Sequence, residues 1–366
     1  MTIAIDARII NTGTGRYIER LLHYLEQLDT THDYLILVRT KDMDYYKPTN
    51  PRFKIVEADF ADYSFGEQVG FARLLRRLKP DLVHFCMPQQ PLLYTGPSIT
   101  TVHDLNLLRI SSNDDMGRLE LQIKKVIFRG LLWAVAHRAK HVLATSAYTK
   151  QDLVAFSHIS PTKVTVTLEG ADKTTRQAKP VSALINQSFL LYVGRAEPYK
   201  NNRGLIKAHQ QLLANYPDLQ LVIAGKVGKN DTLRQADRAW VAQQHYKQVH
   251  FLGFVSDEEL AWLYKECQAY VFPSFMEGFG LPGLEAMAYG APVVSSNATC
   301  LPEIYKNGAH YFDPHNIASM VQAIRDVIDN PTLKQTLITN GHKVHGLYSW
   351  KRMAEQTLAV YQQIMK

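Results

Sequence analysis

Hydrophobic and polar positions along the chain switch between two periods. Short apolar runs stand at TIAIDA (2–7), DYLILV (33–38), FKIVEA (53–58), DLVHFC (81–86), SITTVHD (98–104), KHVLATS (140–146) and KVTVTL (163–168), and each reads as a buried strand. Helical repeats lie between them. GRYIERLLHYLEQL carries apolar residues at 17, 18, 21, 22, 25 and 28, a spacing near 3.6. Strand and helix in regular alternation predict an α/β fold with a doubly wound parallel sheet.

The alternation breaks at GADKTTRQAKPVSALINQ (170–187), a polar stretch of small residues that reads as a linker. A second series follows: FLLYVG (189–194), LQLVIAG (219–225), VHFLGFV (249–255), AYVFPS (269–274), APVVSS (291–296) and AHYFD (309–313). Ser256 and Glu259 form a capping-box pattern, and Pro282 and Gly290 suit the start and end of one helix. The expected organisation is an N-terminal domain over 1–170, a linker over 171–187 and a C-terminal domain over 188–349. Ligands in such sheets bind at the C-terminal ends of the strands.

Composition narrows the partners. The chain has 366 residues, 46% hydrophobic and 20% charged, enough for two globular domains. A net charge of +7 favours anionic partners such as phosphates or lipid headgroups; no nucleic-acid motif accompanies it, so nucleic acid is not expected. Cys86, Cys267 and Cys300 are odd in number and far apart, which points to reduced thiols in a cytoplasmic setting. Asp6 and Arg8 in MTIAIDARII speak against a signal peptide, and no apolar run reaches the ~18 residues of a membrane span.

Five places carry candidate chemistry. Gly13 and Gly15, between the first strand and helix, would let backbone amides approach a phosphate, although Ile18 fills the third position of a dinucleotide fingerprint. Arg195 and Lys200 follow a strand end, as a fork and a point charge for a diphosphate or as two solvated cations. In SFMEGFGLPGLEAMAYGAPVV, Gly278, Gly280 and Gly283 bare the backbone, and Glu285 falls in the first turn of a helix. Glu277, a loop carboxylate among glycines beside Phe275 and Phe279, has no comparable local reason and suits hydroxyl recognition. His103 ends the strand SITTVHD as a candidate proton carrier or a satisfied loop-edge residue. Asp42 and Asp44 form a DxD pair whose ordinary reading is solvated loop charge rather than metal binding.

Together these features resemble the retaining glycosyltransferases of the GT-B fold, the family 4 or "group 1" type. EGFGLPGLEAMAYGAPVV places its two glutamates at the family's separation. GTGRY, TVHDL, TSAYTKQDL, GRAEPYKN, LPEI and YSWKRMAEQTLAVY follow the family's order over nearly the whole chain. The resemblance implies two Rossmann-like domains facing across a cleft, with the last helix (350–366) returning to the first domain. It implies transfer of a hexose from a nucleotide-diphosphate sugar to a glycan or lipid-linked acceptor in polysaccharide synthesis. Arg195 and Lys200 would hold the diphosphate in place of a metal, and no cofactor is implied. Glu285 would hold the ribose, Glu277 with the Phe279-Gly280-Leu281 backbone the sugar, and Phe254 and Val255 the base. Gly13 and Gly15 would approach the diphosphate, and His103 would line the acceptor side.

GTGRY with TVHDL looks like the bacterial mannosyltransferase branch, so GDP-mannose is the first expected donor and a UDP-hexose the second. The sequence departs from the family at LEGAD (168–172), where Glu169 stands in place of an asparagine. The alternatives are an NAD(P)-dependent oxidoreductase, which leaves the paired glutamates unexplained, and a non-catalytic nucleotide-sugar-binding protein. RLELQIKKVIFRGLLWAVAHRAKH (118–141) and FARLLRRLK (71–79) mix basic and apolar residues at helical spacing. Each is either an ordinary helix packed on its sheet or a peripheral contact with the anionic inner face of the plasma membrane.

Overall fold

The computed structural model describes residues 1–110, 117–172, 177–225 and 232–365, so part of the expected linker, 173–176, lies outside the described residues. The strands are β1 (Thr2–Asp6), β2 (Asp33–Val38), β3 (Phe53–Glu57), β4 (Leu82–Phe85), β5 (Ser98–Val102), β6 (His141–Ala144), β7 (Val164–Val166), β8 (Phe189–Val193), β9 (Gln220–Ala224), β10 (Val249–Gly253), β11 (Ala269–Phe272), β12 (Val293–Ser296) and β13 (Ala309–Phe312). The helices are α1 (Gly15–Leu28), α2 (Ala72–Leu78), α3 (Arg118–Arg138), α4 (Ala147–Ser157), α5 (Asn202–Leu212), α6 (Thr232–Gln243), α7 (Asp257–Glu266), α8 (Leu281–Ala288), α9 (Leu301–Tyr305), α10 (Ile317–Asp329), α11 (Pro331–His345) and α12 (Trp350–Ile364). Every apolar run read as a strand contains one.

The strands form two sheets, ordered β3-β2-β1-β4-β5-β6-β7 and β10-β9-β8-β11-β12-β13. All pairings are parallel. Central strands such as LVHF and AYVF are buried along their whole length, as expected where helices cover both faces of a sheet. The strand order reverses between β1 and β4 in one sheet and between β8 and β11 in the other. The loops leaving those strands are where such sheets bind ligands.

The chain divides into two compact units. One comprises 1–108, 123–169 and 349–366, the other 109–122 and 170–348. In the first, α12 is capped by Ser349 and packs along α1. It buries Trp350, Met353, Ala354, Thr357, Leu358 and Tyr361, a helical stripe whose large side chains each contribute about 1.5–3 kcal/mol of burial.

The two basic helical stretches differ. α2 turns Leu74 and Leu75 inward and leaves Arg73, Arg76 and Arg77 exposed, so it is an ordinary amphipathic helix. α3 buries Phe128, Leu131, Leu132 and Val135, yet also exposes Ile123, Val126, Ile127 and Trp133. Among the described residues no helix is long and apolar enough to cross a membrane.

Candidate functional site

In the second unit the candidates gather on two loops at the switch point. After β8 the chain runs through Arg195 into a short turn, Pro198–Lys200, and then Asn201 in a left-handed conformation (φ 57°). The Asn201 amide donates to the carbonyls of Pro273 and Pro314, both at 3.1 Å. The backbone N–H of Phe275 donates to Tyr199 O at 2.8 Å. These bonds tie the loop after β8 to the loop after β11 and bring Lys200 Nζ to 2.6 Å from Glu277 Oε1. Both side chains are largely buried, 15% and 10% exposed, so the pair is shielded from water and from salt. Glu277 therefore has the structural partner that its local sequence did not reveal. Its backbone N–H also donates to Thr299 Oγ1 (3.0 Å), and its carbonyl accepts from Cys300 Sγ (3.3 Å).

Two further expectations about this segment change. α8 begins at Leu281, after Gly280 at φ 94°, which makes Glu285 the fifth helical residue, beyond the first turn. The helix-end field has faded there, so a dipole account does not explain a buried carboxylate at this position. The glycines, moreover, answer to packing. A Cβ on Gly283 would lie 2.3 Å from the ring of buried Tyr305, and one on Gly280 2.5 Å from its hydroxyl. Tyr305 OH donates to Gly280 O at 2.5 Å, so this tyrosine shapes the loop that presents Glu277. Phe279 is buried edge-on against Tyr348, and Gly280 beside it is buried with its carbonyl taken by Tyr305.

Arg195 is exposed at the end of β8. Behind it, buried Arg234 donates to Gly194 O (2.9 Å) and Gly225 O (3.1 Å), joining the ends of β8 and β9. Phe254 follows β10 and is 73% exposed, with Val255 half-buried beside it. Ser274 Oγ and both side-chain polar atoms of Asn202 are buried without a hydrogen-bond partner. Ser274 lies on the loop after β11 and Asn202 opens α5. Cys86, Cys267 and Cys300 are all free and buried.

In the first unit the candidates also stand at strand ends. A Cβ on Gly15 would fall 1.9 Å from Ile10 O, so the turn into α1 needs glycine for close packing, whereas Gly13 meets nothing within 4 Å. Asp42 is buried, not solvated, and accepts from the Asn11 side chain at 3.2 Å, bracing this loop. Asn11 and Asp42 thus act together in a way the DxD spacing alone did not suggest.

His103, just past β5, is fixed from several sides. Its Nε2 is 2.9 Å from Cys86 O, its Nδ1 3.3 Å from Glu169 Oε1, and its ring lies edge-on to Tyr17 with centroids 5.0 Å apart. Its carbonyl accepts from Thr145 and Thr149 at 3.0 and 3.2 Å. Burial would lower its pKa, but the Glu169 hydrogen bond and charge outweigh this and raise it. With an acceptor at each nitrogen, the ring is not placed as a free proton carrier. Nearby His84 behaves oppositely. It is wholly buried between Tyr361 OH (2.6 Å) and Thr101 Oγ1 (2.8 Å), and burial lowers its pKa to about 3. Thr101 in turn meets Tyr17 OH at 3.0 Å, so α12, β4, β5 and α1 share one buried network.

Glu169, Arg234, Thr299 and Tyr305 were not candidates from sequence. The LEGAD departure was the sole sign of Glu169; the other three carried no motif.

Comparisons with known proteins agree with this architecture. Residues 175–344 match the family model described as Glycosyl transferases group 1, and residues 11–174 match Glycosyltransferase Family 4. The chain is 29% identical over 297 residues to O-antigen chain mannosyltransferase B of Escherichia coli, covering 74% of each. It is 32% identical over 294 residues to an uncharacterized glycosyltransferase of Methanocaldococcus jannaschii, covering 78% of this chain and 74% of that protein. Among solved structures, sucrose-phosphate synthase from Thermosynechococcus elongatus superposes with a TM-score of 0.79 at 20% identity, over 100% of this chain and 99% of that one.

Proposed function

The chain belongs to the group 1, family 4 glycosyltransferases, and from that premise we propose that it transfers a hexose, with retention, from a nucleotide-diphosphate sugar to a glycan or lipid-linked acceptor. The observation that carries the reading is the Lys200–Glu277 pair, held where two switch-point loops are hydrogen-bonded together. Mannose from GDP-mannose is the first donor, in keeping with the O-antigen mannosyltransferase among the relatives; a UDP-hexose is the second.

Breaking the bond from the anomeric carbon to phosphate puts negative charge on the diphosphate and positive charge on the sugar ring. Lys200 and Arg195 stabilise the first, with no metal needed. Glu277, already held by Lys200 and the Thr299 turn, orients the sugar hydroxyls. Phe254 and Val255 offer an apolar platform to the base, and Glu285 an acceptor to the ribose. The acceptor oxygen bonds the anomeric carbon on the face the phosphate leaves, and its proton passes to the departing phosphate oxygen. Glu277 forms no covalent bond.

A panel of nucleotide sugars assayed for free nucleoside diphosphate tests this. GDP-mannose should give the fastest release, a UDP-hexose the next. Release with neither, together with thermal stabilisation by NAD(P) but not by GDP or UDP, would move the protein to the oxidoreductase class.

The exposed side of α3 supports a peripheral site of action as well. Ile123, Val126, Ile127 and Trp133 alternate with Lys124, Lys125 and Arg129, an arrangement suited to the anionic inner face of the plasma membrane. The protein should float with anionic liposomes at low salt. Replacing Val126 and Trp133 by serine should abolish flotation, and wild type that stays unbound rejects membrane contact.

A further inference from the structure

Glu169, just past β7, is buried. A buried carboxylate requires a partner, and here that partner is His103 Nδ1 at 3.3 Å. The other ring nitrogen faces Cys86 O at 2.9 Å. Both neighbours are acceptors. A neutral imidazole has one N–H and would leave one acceptor unanswered, whereas an imidazolium satisfies both. The arrangement depends on strand order. β6 lies between β5 and β7, and Thr145 and Thr149 beyond β6 hold the His103 carbonyl while Glu169, beyond β7, reaches the ring.

We propose that Glu169 is a positioning residue for sugar transfer, orienting the His103 ring and holding it doubly protonated so that it serves as a fixed cation, never as the base. This rests on the proposed transferase activity and deepens it. A base at His103 would have to accept a proton; a ring that already holds two has no free nitrogen lone pair to accept one. The ring's other titratable neighbours are Asp104 on its own strand end, Tyr17 on α1, and His84 and Cys86 on and just after β4. Asp104 and Glu169 favour the charged ring. His84 stays neutral, and burial raises the Tyr17 and Cys86 pKa values, so neither supplies charge near neutrality.

The test combines two readings on the full-length protein. Nitrogen-15 histidine NMR follows the His103 ring through a pH titration in wild type, E169Q and E169D, with H103Q to assign the signal. Transfer kinetics are measured over the same range with the best donor of the nucleotide-sugar panel. Wild-type His103 should stay an imidazolium above its ordinary value near 6.5, and E169Q should lower its titration. The transfer rate should be level below that titration and fall above it. In E169Q the alkaline fall should move to lower pH, costing about ten- to a hundredfold in kcat between the two titrations with donor KM unchanged. E169D should recover much of the loss. A rate that rises with pH through the His103 titration, or a titration unmoved by E169Q, overturns the proposal. So does a wild-type ring that titrates at or below 6.5, a result independent of any variant's folding. If no nucleotide sugar is turned over, the transferase reading fails, and the NMR titration alone decides whether Glu169 charges the ring.

Discussion

Two of the ion pairs in this protein make an instructive contrast. Lys200–Glu277 and His103–Glu169 each lie past the C-terminal ends of parallel strands, one in each unit. The lysine pair is short and rests on packing as well as hydrogen bonds: Tyr305 lies against Gly280 and Gly283, and the Asn201 amide donates to two carbonyls. The histidine pair is longer and rests on hydrogen bonds, beside a network running through Tyr17, Thr101, His84 and Tyr361. One pair joins an ammonium to a carboxylate and holds no histidine, the residue type that responds to pH in the physiological range. The other includes the side chain that titrates within that range. Glu169 raises the His103 pKa, so the histidine pair makes the first unit sensitive to pH.

The sharpest way to break the contrast is at the lysine pair. Lys200→Ala should lower turnover by about 10²–10³, or roughly 3–4 kcal/mol, in an assay of nucleoside diphosphate release. Glu277→Gln alone and combined with Lys200→Ala closes a double-mutant cycle. A coupling below about 0.5 kcal/mol would mean that the pair does not act as one unit.

Packing support is tested next. Gly283→Ala adds helix propensity worth about 1 kcal/mol, yet its methyl would meet the Tyr305 ring at 2.3 Å. Overpacking of a buried site costs about 1–3 kcal/mol, so the variant should show a lower urea midpoint. A midpoint raised by the substitution would show that Tyr305 yields easily and does not define the loop.

The hydrogen-bonded side is read from stability against pH, where its two histidines have opposite signs. His84 has its folded pKa lowered to about 3, so its contribution is present above about 6.5 and lost as pH falls toward 3. His103 has its folded pKa raised, so its pair contributes fully below about 6.5 and loses that contribution as pH rises through the folded value. Urea unfolding of wild type should weaken on the acid side by up to about 1.4 kcal/mol per pH unit for the His84 proton. His84→Gln should flatten that slope, and an unchanged slope would remove His84 from the network's account. The smallest effect is expected at Phe254. Phe254→Ala should raise donor KM severalfold, about 1 kcal/mol of lost stacking, with kcat unchanged; a fall in kcat alone would separate Phe254 from base binding.

How much of this was legible before folding follows from what is local. Every strand could be read from its apolar run, and the Ser256–Glu259 capping box from its spacing, because a strand's burial and a cap's hydrogen bonds depend on a few consecutive residues. The candidate residues at strand ends were legible as types: a histidine, an arginine, a lysine and two glutamates. Their partners were not. Lys200 and Glu277 are 77 positions apart and meet because β8 and β11 are neighbours in the sheet. Glu169 meets His103 because β7 and β5 flank β6. The glycines looked like openings for a ligand until Tyr305 was found against them, and Asp42 looked solvated until Asn11 was found beside it. The amino-acid sequence by itself determined which segments became strands and helices, and which chemical groups reached the sheet edges. Tertiary structure alone decided which groups became pairs, because crossover connections set strand order, and strand order sets which loops touch.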